Sequence, residues 1–184
     1  MKTPVKFSGL IALLCFGSAI WAADAPTLAQ IYDKSLASVE GEFVPLADAM
    51  PDGGYNFAPK GGEFKGVRTF GQQVKHVAAV NYMIGAALLQ QKPPVDLGAG
   101  ESGPDSVVGK VQTVRFLKDS FAYLHKAIQT LTEANQKDMI QSPFGSSQSP
   151  RLAIALIAAG HCFDHYGQMV VYARMNGIVP PASR

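Results

Sequence analysis

The chain has 184 residues, of which 16 are Lys or Arg and 14 are Asp or Glu, so its formal net charge at pH 7 is +2. This near-neutral balance, without a basic run, argues against a nucleic-acid-binding surface, and the length fits one domain with its own hydrophobic core.

Residues 1–22 are predicted to be a secretory signal peptide. Two lysines precede an apolar run over residues 7–20, and small residues follow it at Ala22 and Ala23. The run is shorter than the roughly 20 apolar residues of a membrane span, and an uncleaved anchor is the alternative. Cleavage removes two basic residues and no acidic one, so the mature chain, residues 23–184, carries no net charge. We therefore expect a periplasmic or secreted protein of one domain, with no membrane span after cleavage.

Cleavage also removes Cys15 and the only tryptophan, Trp21, which leaves Cys162 as the sole cysteine of the mature chain. No intramolecular disulfide is then possible, despite the predicted export. Stability must come from packing or from a bound metal ion.

Two helices are predicted on either side of a long loop. The first spans about 27–49, with Thr27 as its N-cap and apolar residues at helical spacing. Residues 50–66 are dense in Gly and Pro and are predicted to lack regular structure. The second helix spans about 69–91 and ends before two prolines that cannot continue it. His76 lies in its middle.

Two further helices complete the prediction of an all-α fold. The third spans about 110–134, with one apolar face that repeats every three or four residues. The fourth begins at Ser149, as N-cap, and Pro150, as first helical residue, and ends at Asn176 and Gly177. No alternating apolar and polar run is long enough to predict a sheet. Four helices with long crossover loops predict a four-helix bundle, in which ligands converge from facing helices.

His161 and His165 are the strongest candidates for a functional site. Histidines four residues apart on a helix place two imidazoles on one face, where both can bind one ion. A pair supplies only two ligands, so we assign a third to His76 on the second helix. Three imidazoles leave coordination positions open for water or substrate, as in catalytic metal sites. The alternative is a set of core histidines satisfied by ordinary hydrogen bonds.

Four further residues, on the third and fourth helices, are considered as contributors to this site. Cys162 points away from His161 and is predicted to be a small buried residue. Gln168 is the candidate catalytic residue, because its amide returns to the same helix face and could touch a substrate, although an ordinary interhelical hydrogen bond is the alternative. Asp164 either orients a ligating histidine or is exposed. His125, on the third helix, is predicted to be a surface or rim histidine, with a fourth contact to the site as its alternative.

The motifs of the chain resemble those of the DinB-like superfamily of four-helix metal-binding proteins. The resemblance covers nearly all of residues 27–184 and is carried by AMPDGGYNFAP, RTFGQQVKHVAAVNYMIG, FLKDSFAYLHKAI and, most specifically, HCFDHYGQMVVYARMNGIVPPAS. It implies one metal ligand on the second helix and two on the fourth, which map onto His76, His161 and His165. It also implies a DinB/YfiT-type bundle in an up-up-down-down-like order, a zinc, nickel or similar divalent ion, and a possible homodimer.

The resemblance also suggests a class of reaction, since some members use a low-molecular-weight thiol to conjugate or isomerise small electrophiles. The leading hypothesis is a metal-dependent thiol transferase or hydrolase, in which the ion lowers the pKa of a thiol or water. The second hypothesis is a non-catalytic, stress-related exported metal-binding protein, and the third is a helical interaction module without metal. The predicted export would place this chain outside the cytoplasm, whereas those relatives use a cytosolic thiol.

Overall fold

The computed structural model describes residues 25–100 and 102–184, so the predicted signal peptide lies outside the described residues. Four helices dominate it: α1 Leu28–Ala49, α2 Phe70–Leu88, α3 Gly109–Ile128 and α4 Arg151–Met175. The smaller elements are two 3₁₀ helices, Asp52–Asn56 and Pro181–Ser183, and two strands, β1 Met139–Gln141 and β2 Gln148–Pro150. Within the described ranges, each helix is too short or too polar to cross a membrane.

Local sequence signals explain where the first two helices begin. The hydroxyl oxygens of Thr27 and Thr69 accept hydrogen bonds from the backbone N–H groups of Gln30 and Gln72, both at 3.2 Å. The two glutamine side chains accept in return from the threonine N–H groups at 2.8 Å. Such reciprocal bonds satisfy donors that a helix start otherwise leaves unpaired. The predicted N-cap at Thr27 is confirmed.

The region between α3 and α4 differs from its prediction. α3 ends at Ile128, before the predicted end near residue 134, because the chain turns and Leu131 donates its N–H to the Ile128 carbonyl at 2.9 Å. Ser149 is not an N-cap, since it pairs with Ile140 in an antiparallel hairpin and α4 begins after Pro150. The hairpin was not predicted because its three-residue strands are too short to show alternation.

The loop after α1 also contains more structure than its composition predicts. Residues Asp52–Asn56 form a short 3₁₀ helix within the stretch predicted to be irregular. Its Tyr55 is buried, and the hydroxyl donates to the carbonyl oxygen of Ala47 at 2.8 Å. One aromatic anchor therefore fixes the loop against the end of α1.

Contacts near the helix ends show that α2 and α4 are antiparallel. The guanidinium of Arg151, at the start of α4, donates to the carbonyl oxygen of Leu88, at the end of α2. Tyr172, near the end of α4, donates its hydroxyl to the carbonyl oxygen of Arg68, just before α2. The middle of α2, where His76 lies, therefore faces the middle of α4.

The same reasoning applies to α1 and α3. Lys110, at the start of α3, pairs with Asp48 at the end of α1, while His125 near the end of α3 bonds to Asp33 near the start of α1. These two helices are therefore also antiparallel. In the bundle, α1 and α2 each pack against both α3 and α4.

The helix order is up-down-down-up, which differs from the up-up-down-down-like order that the resemblance implies. α1 and α4 run in the same direction. Phe43 of α1 packs against Tyr166 of α4, and Phe57, beyond the end of α1, packs against Tyr172, which lies further along α4. α2 and α3 are then parallel, and their connection over residues 89–108 must cross the length of the bundle. The predicted all-α four-helix bundle is confirmed.

The hydrophobic core lies between the four helices. Large side chains with no exposed surface include Phe43 from α1, Phe70 from α2 and Phe121 from α3. Gly85 allows α2 and α3 to approach closely, since a Cβ atom at this position would lie 2.7 Å from the ring of Tyr123. This packing holds α2 firmly against α3.

Candidate metal centre

The middle of α2 and the middle of α4 bring three histidines together. The ring centroids of His76 and His161 lie 5.1 Å apart, those of His76 and His165 4.7 Å, and those of His161 and His165 4.5 Å. One nitrogen of each ring lies within 4.8 Å of the others, and the Nε2 atoms of His76 and His161 are 3.1 Å apart. The three residues that the sequence assigned to one site are therefore neighbours in the fold.

The donor set fits a divalent ion. Two nitrogens bound to one tetrahedral ion at about 2.05 Å lie about 3.3 Å from each other, which is close to the 3.1 Å between His76 and His161. The Nδ1 atoms of His161 and His165 are buried without a hydrogen-bond partner in the described part of the chain. Buried polar atoms normally have partners, so hydrogen bonds among the described residues leave the rings of His161 and His165 only partly satisfied.

The surroundings keep two of the rings in the form that binds metals. Burial, together with His165, His76 and Arg68, lowers the pKa of His161 to about 3. Burial is also the main cause that lowers the pKa of His165 to about 4, while the negative charge of Asp164 acts in the opposite direction. Both imidazoles are therefore neutral at pH 7, and a neutral imidazole has a free lone pair for an ion.

Gln168 lies one turn beyond His165, where it joins α4 to α2. Its Oε1 accepts a hydrogen bond from Nε2 of Gln73 at 2.9 Å, and its own Nε2 donates to Oδ2 of Asp164 at 3.2 Å. The interhelical hydrogen bond that was the alternative for Gln168 is thus present, and its catalytic role stays a prediction.

Gln73 is the polar neighbour that the sequence analysis missed. It precedes His76 by three residues on α2, as Gln168 follows His165 by three residues on α4. Because the two helices are antiparallel, these equal spacings bring the two glutamines to the same level of the bundle. That symmetry is the sequence signal that could have found Gln73.

Asp164 and Cys162 lie beside the histidines on α4 but outside the cluster. Asp164 is exposed and accepts from Gln168, while Nδ1 of His165 has no partner among the residues that the structure describes, so the exposed alternative is the one that the structure favours. Cys162 is fully buried, and its thiol donates to Oδ1 of Asn81 at 3.4 Å. Burial raises the pKa of this thiol to about 12, with a smaller contribution from the charge of Glu40. Cys162 is therefore a small buried residue, as predicted.

His125 lies between α1 and α3, separate from the other histidines. Its Nδ1 is 2.6 Å from Oδ1 of Asp33 and its Nε2 is 2.9 Å from Oε2 of Glu40, so both ring nitrogens are engaged. A fourth contact to the cluster is therefore wrong, and the ring is half-buried at a helix interface. The two carboxylates are seven residues apart on one face of α1, a spacing that could have predicted the triad.

Opposing effects act on the pKa of His125. Burial lowers this pKa, but the hydrogen bonds with Asp33 and Glu40 and the charges of these residues outweigh it, so the pKa lies above its ordinary value. The ring therefore forms an ion triad across the α1–α3 interface.

Comparisons with known proteins agree with this architecture. The family model described as the DinB superfamily matches residues 35–169. Among solved structures, a DinB-like protein from Bacillus cereus ATCC 10987 superposes with a TM-score of 0.65 at 14% identity, over 82% of this chain and 93% of that chain. A conserved protein from Enterococcus faecalis gives a TM-score of 0.64 at 17% identity, over 82% and 97% of the two chains. Similarity at these identities shows the fold alone. No curated protein matches the sequence significantly.

Proposed function

Since the chain belongs to the DinB superfamily, we propose that it is an exported, metal-dependent enzyme that acts on small electrophiles, as a thiol transferase or as a hydrolase. His76, His161 and His165 hold one divalent ion, with zinc and nickel as the first choices. The observation that carries the proposal is the convergence of these rings, with 3.1 Å between the Nε2 atoms of His76 and His161.

Three protein ligands support a catalytic role better than a purely structural one. Structural zinc sites are usually closed by four protein ligands, whereas catalytic sites keep a position open. When bound, a divalent ion in such a site supplies Lewis-acid chemistry and makes a thiol or water a better nucleophile near neutral pH. The histidines supply lone pairs for the ion and exclude water from its protein side.

Gln168 is the candidate polar contact for a substrate in this proposal. Its amide is oriented by Gln73 and Asp164 and lies one turn from His165 on α4. A held amide positions a substrate group without contributing charge. Gln168 is therefore assigned a positioning role beside the three metal ligands.

Elemental analysis tests the metal site directly. Protein purified from its own secretory compartment is expected to contain about one equivalent of a divalent metal, and the variant His165→Ala to contain far less. His125→Ala is the matched control, because it removes an imidazole that lies outside the cluster. A reaction rate that His165→Ala leaves unchanged in metal-loaded protein would remove the catalytic proposal.

A non-catalytic metal-binding function is the second candidate. The observation that favours it is the engagement of Gln168, whose amide oxygen and nitrogen both bond to protein groups. A chelator distinguishes the two functions: a large fall in Tm in a protein without turnover of thiol-reactive or hydrolysable substrates supports binding alone.

A further inference from the structure

A cavity of about 590 Å³ opens directly beside the histidine cluster. His76 and His161 lie in its wall, and the rest of the wall comes from α2, from the crossover connection and from the loop between β1 and β2. Among the described residues, this wall contains no Lys, Arg, Asp or Glu side chain. The apolar part of the wall includes Ala79, Val80, Met83, Leu97 and Phe144.

One face of α2 carries both the metal-site histidine and the apolar wall. Ala79, Val80 and Met83 follow His76 by three, four and seven residues, which is the spacing of one helix face. A molecule that fills the cavity therefore lies along this face, with one end against the imidazoles of His76 and His161.

The opposite side of the cluster is polar. A second cavity of about 480 Å³ is lined there by Arg68, Gln73, Ser102 and Gln168, among others. Gln73 lies one turn before His76, whereas the apolar wall begins one turn after it. The three histidines thus separate a polar space from an apolar one.

The crossover connection lines one side of the apolar space. Residues 97–100 line the cavity, and the chain then returns along α2, where Nζ of Lys75 donates to the carbonyl oxygen of Pro104 at 2.9 Å. Gly103 allows this close approach, since its φ is +76° and a Cβ atom would lie 2.7 Å from Cβ of Lys75. The apolar wall is therefore held by a fixed contact between the connection and α2.

We propose that this apolar cavity binds an uncharged, mainly apolar small molecule whose polar end contacts the histidine cluster. Burial of an apolar ligand in an apolar cavity is favourable, whereas a charged group placed against the apolar wall away from the histidines loses its hydration without a partner. The inference deepens the proposed function and rests on it for the role of the metal site, because it assigns the electrophile to the apolar side. Charged or strongly polar cosubstrates are assigned to the side of Gln73 and Gln168.

Two dyes of nearly the same shape test the charge selectivity. N-phenyl-1-naphthylamine is neutral, and 8-anilinonaphthalene-1-sulfonate adds one negative charge; both fluoresce in apolar surroundings. The neutral dye is expected to bind one-to-one to the metal-free protein, where no cation attracts the sulfonate, with a Kd at least about tenfold lower than that of the anionic dye. Equal Kd values for the two dyes would overturn the proposal.

Substitutions locate the bound dye. Met83→Glu places a carboxylate in the cavity wall and is expected to weaken the neutral dye at least about tenfold, while Val111→Glu, at an 81% exposed site on α3, is the matched control. If Met83→Glu does not fold by circular dichroism, Ala79→Met fills the same cavity without charge and is expected to exclude the dye by volume. Binding unaffected by a folded cavity variant would contradict the assignment.

Metal uptake by the same preparations separates this inference from the proposed function. Zinc bound at one equivalent with no dye binding would overturn the cavity assignment and leave the metal site intact. Selective dye binding in protein that takes up neither zinc, nickel nor another divalent ion would support the cavity as a ligand site and overturn the proposed function on which its role rests.

Discussion

The Nε2 atoms of His76 and His161 lie 3.1 Å apart, although 85 positions separate the two residues in the sequence. Two ring nitrogens this close repel each other through their lone pairs unless a proton or a cation lies between them. The packing of α2 against α4 holds them there, so the fold itself maintains an arrangement that either a shared proton or a divalent ion relieves.

Added zinc is expected to stabilise the metal-free protein. At a free zinc concentration of 100 times Kd, binding contributes about 2.7 kcal/mol to the free energy of unfolding, which raises Tm by roughly 5 to 10 °C in a domain of this size. Differential scanning calorimetry of the wild type and of His161→Ala measures the shift, which is expected to be largely lost in the variant. An equal shift in both proteins would place the bound zinc elsewhere.

The pair His161 and His165 could be assigned from sequence because it depends on short-range geometry, whereas His76 was assigned because a pair supplies only two ligands and because the family resemblance implies one ligand on the second helix. His161 and His165 need only one helix, and helical spacing is the most reliable signal that a sequence carries. Predicting the contact of Gln73 with Gln168 requires the relative direction of α2 and α4. This direction is set by packing and by the crossover connection. The helix order was wrong for the same reason, since directions depend on long-range contacts.

The hairpin and the His125 triad also depend on contacts that sequence patterns do not reveal. The pairing of Ile140 with Ser149 joins strands of three residues, where no periodicity can be read. The bonds from His125 to Asp33 and Glu40 join α3 to α1 across about 90 positions of sequence. The residues were visible in the sequence, but their partners depend on tertiary packing.

The hydrogen bond between Gln73 and Gln168 is expected to support the packing of α2 on α4. Gln168→Ala leaves the Nε2 group of the buried Gln73 without its acceptor, which costs about 1 kcal/mol of the free energy of unfolding. Gln129→Ala, at an exposed site after α3, is the control and is expected to change it by less than about 0.5 kcal/mol. Urea unfolding of metal-free protein makes the comparison, and equal effects would show that the bond contributes nothing.

The His125 triad is expected to make stability depend on pH. Because the pKa of His125 is higher in the folded chain than the ordinary 6.5, the folded state favours the protonated ring. The stabilisation is then complete below pH 6.5 and is lost as pH rises through the higher folded-state pKa. Asp33 and Glu40 are about one-third exposed, so solvent screening limits the contribution to about 1 kcal/mol.

The difference in the free energy of unfolding between the wild type and His125→Ala isolates this effect, since the other histidines titrate in both proteins. Urea unfolding at pH 6 and at pH 9 is expected to show a larger difference at the lower pH. A difference that stays constant with pH, or that grows toward pH 9, would contradict the charged triad.

Cys162 is expected to be unreactive in the folded protein. Its thiol is fully buried, and its pKa of about 12 leaves almost no thiolate at pH 8. A disulfide reagent such as dithiobis(nitrobenzoate) should label it at least about 100-fold faster in urea than under native conditions. Cys162→Ala should keep its zinc stoichiometry, because the sulfur bonds to Asn81 rather than lying in the cluster. Loss of zinc from this variant, if it is folded, would place the thiol in the site.

Export is expected to leave a mature chain without tryptophan. The only tryptophan is Trp21, within the predicted signal peptide, so cleavage after Ala22 removes it together with Cys15. Intact mass of the exported protein should therefore match a chain that begins near Ala23, and its emission on excitation at about 295 nm should be close to that of buffer. A product that retains Trp21 would support the uncleaved anchor, which would keep the histidine cluster beside a membrane instead of releasing it.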